Sequence, residues 1–220
     1  MPEHIFSLQS IIKSWQNESK KTLVTSIDFS KSFDCVNRDQ LVYKLIHAGV
    51  EGKMYFIIKS LYDQTKSKVR IINCTTSWFD TESGERQGDC MSPTLFSIFV
   101  IDLATRINTL KLGINLGTQI TLILLQADKV AILAENEEDM QTMLNEINDW
   151  CIEWNIKVNI SKTKVMDCRK QKTEKTEYKF KIGENTVEMF VFYKYLTNLR
   201  ALGAVIAKYK NFNDMGHKTY

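Results

Sequence analysis

The chain has 220 residues, 44% apolar and 25% charged, with 29 basic against 26 acidic side chains. That length supports one domain with a substantial core, and a net charge of +3 is too small to mark a nucleic-acid-binding surface by itself. Five cysteines (Cys35, Cys74, Cys90, Cys151 and Cys168) are odd in number and form no C-x-x-C pair. This argues against a disulfide framework or zinc site and for a reducing intracellular compartment, nucleus or cytoplasm alike. The N-terminus shows no signal-peptide pattern, and the longest apolar run near the middle, residues 120–125, is too short to span a bilayer. His4, His47 and His217 have no ligand-like spacing.

Ile5, Leu8, Ile11, Ile12 and Trp15 recur at helical spacing and predict an amphipathic helix over 5–16. Residues 23–27 read as a short buried strand ending at Asp28. Helices are predicted over 39–47, stopped by Gly49, and over 53–62, with Phe56, Ile57, Ser60 and Leu61 on one side. Residues 69–73 and 77–81 read as a strand pair. Ser92-Pro93 has the form of a helix start, with serine as cap and proline in the first turn, and the apolar pattern continues to about Leu110.

The runs 120–125 and 130–133 flank Gln126-Ala127-Asp128-Lys129 and predict a tight hairpin with that tetrapeptide at its tip. Asn136 caps a further helix whose stripe of Met140, Met143, Leu144, Ile147, Trp150, Cys151 and Trp154 reads as core. Residues 169–179 form a charged loop or hairpin tip. Two apolar runs then surround Gly183-Glu184-Asn185 up to Leu196, and the tail after Gly203 has little pattern. The expected fold is one mixed α/β (α+β) domain over 1–200, helices backing a largely antiparallel sheet, with a poorly patterned tail over 201–220.

Asp28 and Asp128 stand at a strand end and a hairpin turn. Carboxylates on rigid strand ends can share divalent cations, as two-metal phosphoryl transfer requires. An aspartate in a turn more often serves the turn itself, so the pairing alone decides nothing.

The flanking residues add to it. Asp28-Phe29-Ser30-Lys31-Ser32-Phe33-Asp34-Cys35-Val36-Asn37 resembles motif A of non-LTR (LINE-type) retrotransposon reverse transcriptases. Gly84-Glu85-Arg86-Gln87-Gly88-Asp89-Cys90-Met91-Ser92-Pro93 resembles their motif B. Gln126-Ala127-Asp128-Lys129 stands where the family has an aromatic-Ala-Asp-Asp tetrapeptide. Trp150-Cys151 through Trp154, Val158-Asn159 and Lys162-Thr163-Lys164 is similar to motif D, and Tyr193-Lys194-Tyr195-Leu196 to the motif E primer grip, with Thr197 in place of glycine.

The resemblance implies a right-hand polymerase palm with partial fingers and little or no thumb, descended from an RNA-directed DNA polymerase. It implies RNA template, DNA primer and dNTP as partners, no membrane, and two Mg²⁺ ions held by Asp28, Asp128 and the backbone carbonyl of Phe29. Phe33 matches the residue that excludes a ribose 2′-hydroxyl, with a buried core phenylalanine as the competing reading. Gln87 and Gly88 would lie along the incoming nucleotide, Arg86 would steady template or triphosphate, and Tyr195 and Leu196 would grip the primer. Lys162 or Lys164 would protonate the leaving pyrophosphate.

Lys129 departs from the pattern, reversing the charge of a catalytic carboxylate, and implies suppressed nucleotidyl transfer unless it swings out to solvent. Gln126 for an aromatic residue points the same way. Two other readings stand beside this one. One is a non-catalytic nucleic-acid-binding module gripping phosphates through Arg86, Lys162, Lys164 and the basic stretch 169–175. The other is an unselected retrotransposon relic.

Overall fold

A computed structural model describes residues 10–15, 17–18, 20–63, 65–72, 74–81, 83–86, 88–115, 120–121, 123–126, 129–168 and 178–192. Residues 10–15 are helical, in keeping with the periodicity that begins at Ile5. Strand β1 (Thr22–Asp28) follows, then the short helix α1 (Ser32–Cys35), α2 (Arg38–His47) and α3 (Gly52–Tyr62). Asn37 caps α2 by accepting from the Gln40 amide at 3.1 Å. Gly49, at φ 79, ends it where a side chain would be strained. In α3 the buried side is Ile58 and Tyr62, whereas Phe56 and Ile57 are exposed. Of the apolar side expected from the sequence, Leu61 packs against the core and Phe56 and Ile57 do not.

The strand pair beyond α3 is shorter than expected: β2 (Lys66–Ser67) pairs with β5 (Phe79–Asp80), and β3 (Arg70–Ile71) with β4 (Cys74–Thr75). The expected helix over 92–110 divides at Val100 (φ −95, ψ 0) into α4 (Ser92–Phe99) and α5 (Ile101–Thr109). Leu103 N–H reaches back only to the Val100 carbonyl, a tightened turn that redirects the axis. Ser92 is not the cap. It is the first residue of α4, and its hydroxyl donates to the Arg86 carbonyl at 2.8 Å. Asp89 instead accepts from the Met91 amide at 3.0 Å.

β6 (Ile114–Asn115) pairs with β7 (Ile120–Thr121). β8 (Ile123–Gln126) and β9 (Lys129–Ala134) then form the expected hairpin, with Gln126 opposite Lys129. Asn136 caps α6 (Glu137–Glu153) through the Asp139 amide at 2.8 Å. Its Met140, Met143, Leu144, Ile147, Trp150 and Cys151 are core, as their spacing predicts. β10 (Lys164–Cys168), β11 (Lys181–Ile182), β12 (Asn185–Thr186) and β13 (Glu188–Phe192) complete the described chain.

The main sheet has the order β13-β10-β1-β9-β8. Its pairings are antiparallel except β10 with β13, which run parallel. Because side chains alternate across a strand, β1 divides its residues between two layers. Leu23 and Ile27 join Val130, Ile132 and Val165 in the large core, with Phe96, Phe99, Met140 and Trp150 from the helices. Val24 faces the other way and meets Leu133, Cys168, Ile12 and Trp15 in a smaller cluster. The helices thus back one face. On the other, Ile12 and Trp15 cover the Val24 end of β1, and Asp28 lies at the opposite end. This is the palm-like sheet expected from the sequence.

Candidate polymerase-type site

Asp28 is the last residue of β1 and only 4% exposed. Its position is fixed by backbone on both sides. Its amide donates to Thr163 Oγ1 at 3.3 Å, and its carbonyl accepts from the Asn159 amide at 2.7 Å. Ser30 N–H donates to the Lys157 carbonyl at 2.7 Å, so the start of motif A is laced to the segment preceding β10. The Phe29 ring turns into the core, 6.4 Å from Phe96 and 5.9 Å from Trp150 between centroids. The ring anchors the backbone whose carbonyl the family resemblance names.

Asp28, Phe29, Phe33 and Lys162 line one cavity of about 230 Å³, together with Lys31, Ser32 and Asp34. Phe33 reaches this cavity with its ring 5.2 Å from Phe96. The ring both packs against the core and lines the cavity. Lys162 Nζ lies 3.5 Å from Asp28 Oδ2. Lys164 sits on β10 and pairs with Glu188 at 2.5 Å. Of the two lysines, only Lys162 borders the cavity.

Lys129 closes the hairpin tip opposite Gln126, as the tetrapeptide suggested. It opens β9 and stands directly opposite Asp28 in the β1–β9 register. The two residues are therefore on the same face of the sheet, a relationship that ordinarily sets Cβ atoms about 4.5–5.5 Å apart. Lys129 is half-buried. Ala127 and Asp128, Gln87, the primer-grip residues Tyr195 and Leu196, and the basic stretch 169–175 lie outside the described residues.

The motif B loop is tied to motif A by backbone contacts. Gly84 N–H donates to the Val36 carbonyl at 2.8 Å and Glu85 N–H to the Phe33 carbonyl at 2.7 Å. Arg38 donates to the carbonyls of Gly84 and Thr81. A Cβ on Gly84, itself at φ 84, would lie 3.0 Å from the Asp34 carbonyl oxygen, so any side chain there meets a strained backbone and a tight contact. Arg86 and Gly88 are exposed on this loop, and Gly88 has φ 87 with open space around it. Burial, and then the neighbouring Asp89, push the Glu85 carboxyl up to about 8. The Glu85 side chain is only 5% exposed, and both its oxygens lack a hydrogen-bond partner among the described residues.

Thr163 was visible only as part of motif D and Gly84 only as part of motif B, and nothing local pointed to Arg38 or to the Gly84–Asp34 approach, because each contact joins segments far apart in the chain. Lys31, Ser32 and Asp34 were visible only as parts of motif A. Among the described residues, no group of three or more His, Cys, Asp and Glu side chains could hold a metal. Asp28 has the Lys162 ammonium 3.5 Å from its carboxylate and Lys129 as its opposite residue in the β1–β9 register. Among the described residues, no helix is long and apolar enough to cross a membrane.

A reverse transcriptase (RNA-dependent DNA polymerase) family model matches residues 1–206. The chain is 30% identical over 142 residues to an RNA-directed DNA polymerase from the mobile element jockey of Drosophila funebris, covering 62% of this chain and 15% of that protein. It is 28% identical over 145 residues to a Pol polyprotein from the type-1 retrotransposable element R2 of Nasonia vitripennis, covering 66% and 14%. The apo telomerase of Candida tropicalis shares the fold at a TM-score of 0.60 and 15% identity, over 81% of this chain and 36% of that one. The chain thus spans about 15% of the length of these retroelement relatives, and it belongs to the reverse transcriptase (RNA-dependent DNA polymerase) family, on the side of the non-LTR retrotransposon enzymes.

Proposed function

We propose that this chain is a reverse transcriptase palm in which two-metal transfer of deoxynucleotides is suppressed at Lys129. The observation that carries this reading is the register pair Asp28–Lys129. In the ancestral reaction Asp28, Asp128 and the Phe29 carbonyl would hold Mg²⁺, which neutralises phosphate charge and activates the attacking oxygen. A lysine opposite Asp28 sets a fixed positive charge where a second carboxylate would serve. At 4 Å and an effective dielectric near 20, unit charges interact by about 4 kcal/mol. Half of that, expressed in the barrier, slows a reaction roughly thirtyfold.

The partners of this reading are an RNA template, a DNA primer and dNTP. Phe33, Gln87 and Gly88 bound the nucleotide, Arg86 steadies phosphate, Tyr195 and Leu196 hold the primer, and Lys162 serves the leaving group. The five free cysteines, two of them exposed, suit a reducing intracellular setting.

The test is primer extension on an RNA template with Mg²⁺, comparing the native chain with Lys129→Asp. Incorporation by the substituted chain alone is the expected result. Equal extension by the native chain overturns the proposal.

A further inference from the structure

The hairpin between α3 and the motif B loop stands apart from the cavity and shares no residue with it. Its two strands are offset by one residue midway: Ser67 faces Phe79, but Arg70 faces Thr75. The extra residue falls on the returning strand, between Thr76, whose amide donates to the Val69 carbonyl at 2.9 Å, and Phe79. Alternation along the strands then gives the hairpin two unlike faces. One carries Lys66, Lys68 and Arg70, with Trp78 beneath Lys68. The Lys68 ammonium lies 4.9 Å from the Trp78 ring centroid. The other carries Val69, Ile71 and Phe79, which are 47%, 65% and 48% exposed.

Trp78 is 62% exposed, although an indole of that size is ordinarily well covered. The three basic residues are all exposed, and among the described residues the face holds one acidic counterpart, Asp80, only loosely paired with Lys66 at 3.9 Å. Lysines along an edge also discourage pairing with other strands. That role accounts for the charges but not for an indole held open beneath one of them. Cations spaced along a strand beside an uncovered aromatic ring match phosphates alternating with flat, stackable bases.

We infer that the Lys66–Lys68–Arg70 face with Trp78 binds single-stranded nucleic acid, Trp78 stacking on a base and the cations taking its flanking phosphates. This deepens the template-and-primer reading, on which the partner class partly rests, by naming a contact outside the palm cavity. Unpaired bases are required, so a duplex of the same length binds more weakly. RNA and DNA single strands share the chemistry used here, and the titration compares both.

The experiment titrates the full chain with labelled twelve-nucleotide oligo(U) and oligo(dT), following anisotropy and tryptophan emission. Trp15 and Trp150 are buried and Trp154 is half-buried, so quenching on binding reports chiefly on Trp78. Trp78→Ala is expected to weaken binding about tenfold or more. Trp78→Phe retains most of the affinity and loses the quench. Lys68→Gln lowers the slope of log affinity against log salt by about 0.7. Because these side chains are exposed, thermal unfolding of each variant should match the native chain. If no single strand binds, the template-and-primer reading fails along with this one. If a strand binds and Trp78→Ala leaves its affinity unchanged, only the hairpin assignment falls. Equal affinity for duplex, or concentration-dependent self-association removed by Trp78→Ala, also overturns it.

Discussion

Asp28 and Lys129 are directly opposed residues of the β1–β9 ladder, the last of one strand against the first of the other. The ladder thus places the lysine's backbone and sets its side chain on the face that Asp28 shares. Opposite charges across a ladder contribute about 0.2–1 kcal/mol, and like charges cost a similar amount. Lys129→Asp is accordingly expected to lower Tm in EDTA and to recover it on adding Mg²⁺, while the native Tm is indifferent to Mg²⁺. Thermal scans with and without the ion measure this independently of turnover. A native chain stabilised by Mg²⁺ to the same degree would contradict the account of Lys129.

Gly84 couples motif B to motif A, whose residues line the cavity. Gly84→Ala meets both a positive φ and the Asp34 carbonyl, and such backbone strain costs on the order of 1–3 kcal/mol. Urea unfolding should show that loss, with faster proteolysis of the 83–89 loop. Gly88→Ala meets only the φ penalty and should cost less. A reversed order would mean that the close approach to Asp34 is not what selects glycine.

Glu85 should make stability pH-dependent in an unusual direction. Its folded-state carboxyl is raised to about 8 from an ordinary 4.5, so between those values the folded chain binds the extra proton. The stabilisation is complete below the lower value and is lost as pH rises through about 8. Glu85→Gln should therefore raise Tm at pH 8, with little change at pH 4.5. A gain that does not vary with pH would show that the carboxyl does not titrate in this window.

Lys44, on α2, is 5% exposed in a pocket of aromatic rings. Its ammonium lies 4.2, 4.6 and 3.7 Å from the ring centroids of Phe99, Trp150 and Trp154. It donates to the Phe99 carbonyl at 2.6 Å and to Asp102 at 2.7 Å, and burial lowers its pKa to about 8 against the pull of Asp102. Lys44→Ala removes the chain that fills the pocket and should cost about 2–4 kcal/mol. Lys44→Met keeps the volume, and Asp102 is exposed enough to be rehydrated, so it should cost less than half as much. Chemical denaturation of both variants decides whether packing or charge dominates here.

Much of the scaffold was legible because its signals are local. The apolar run ending at Asp28, the stop at Gly49, the cap at Asn136 and the core stripe of α6 each depend on a few neighbouring residues. Ser92 misled because its hydroxyl had a competing acceptor in the motif B loop. Phe56 and Ile57 misled because a helix with apolar residues on several sides buries the side its neighbours select. The site was legible mainly through motif likeness: Asp28, Phe33 and Lys162 do share a cavity. That Lys129 faces Asp28 was not readable, since the register of β9 is set by pairing with a strand far earlier in the chain.

The place of β1 has a consequence for how the chain is made. It is the central strand of the sheet, yet its neighbours begin only at residues 129 and 164. During synthesis from the N-terminus, an apolar strand with both edges bare must wait while all of α1 to α5 emerges. Such long-range pairing is slow, and the waiting species is prone to aggregate. A product cut short before Lys129 would keep both edges of β1 open, and its natural fate is association with other chains or degradation.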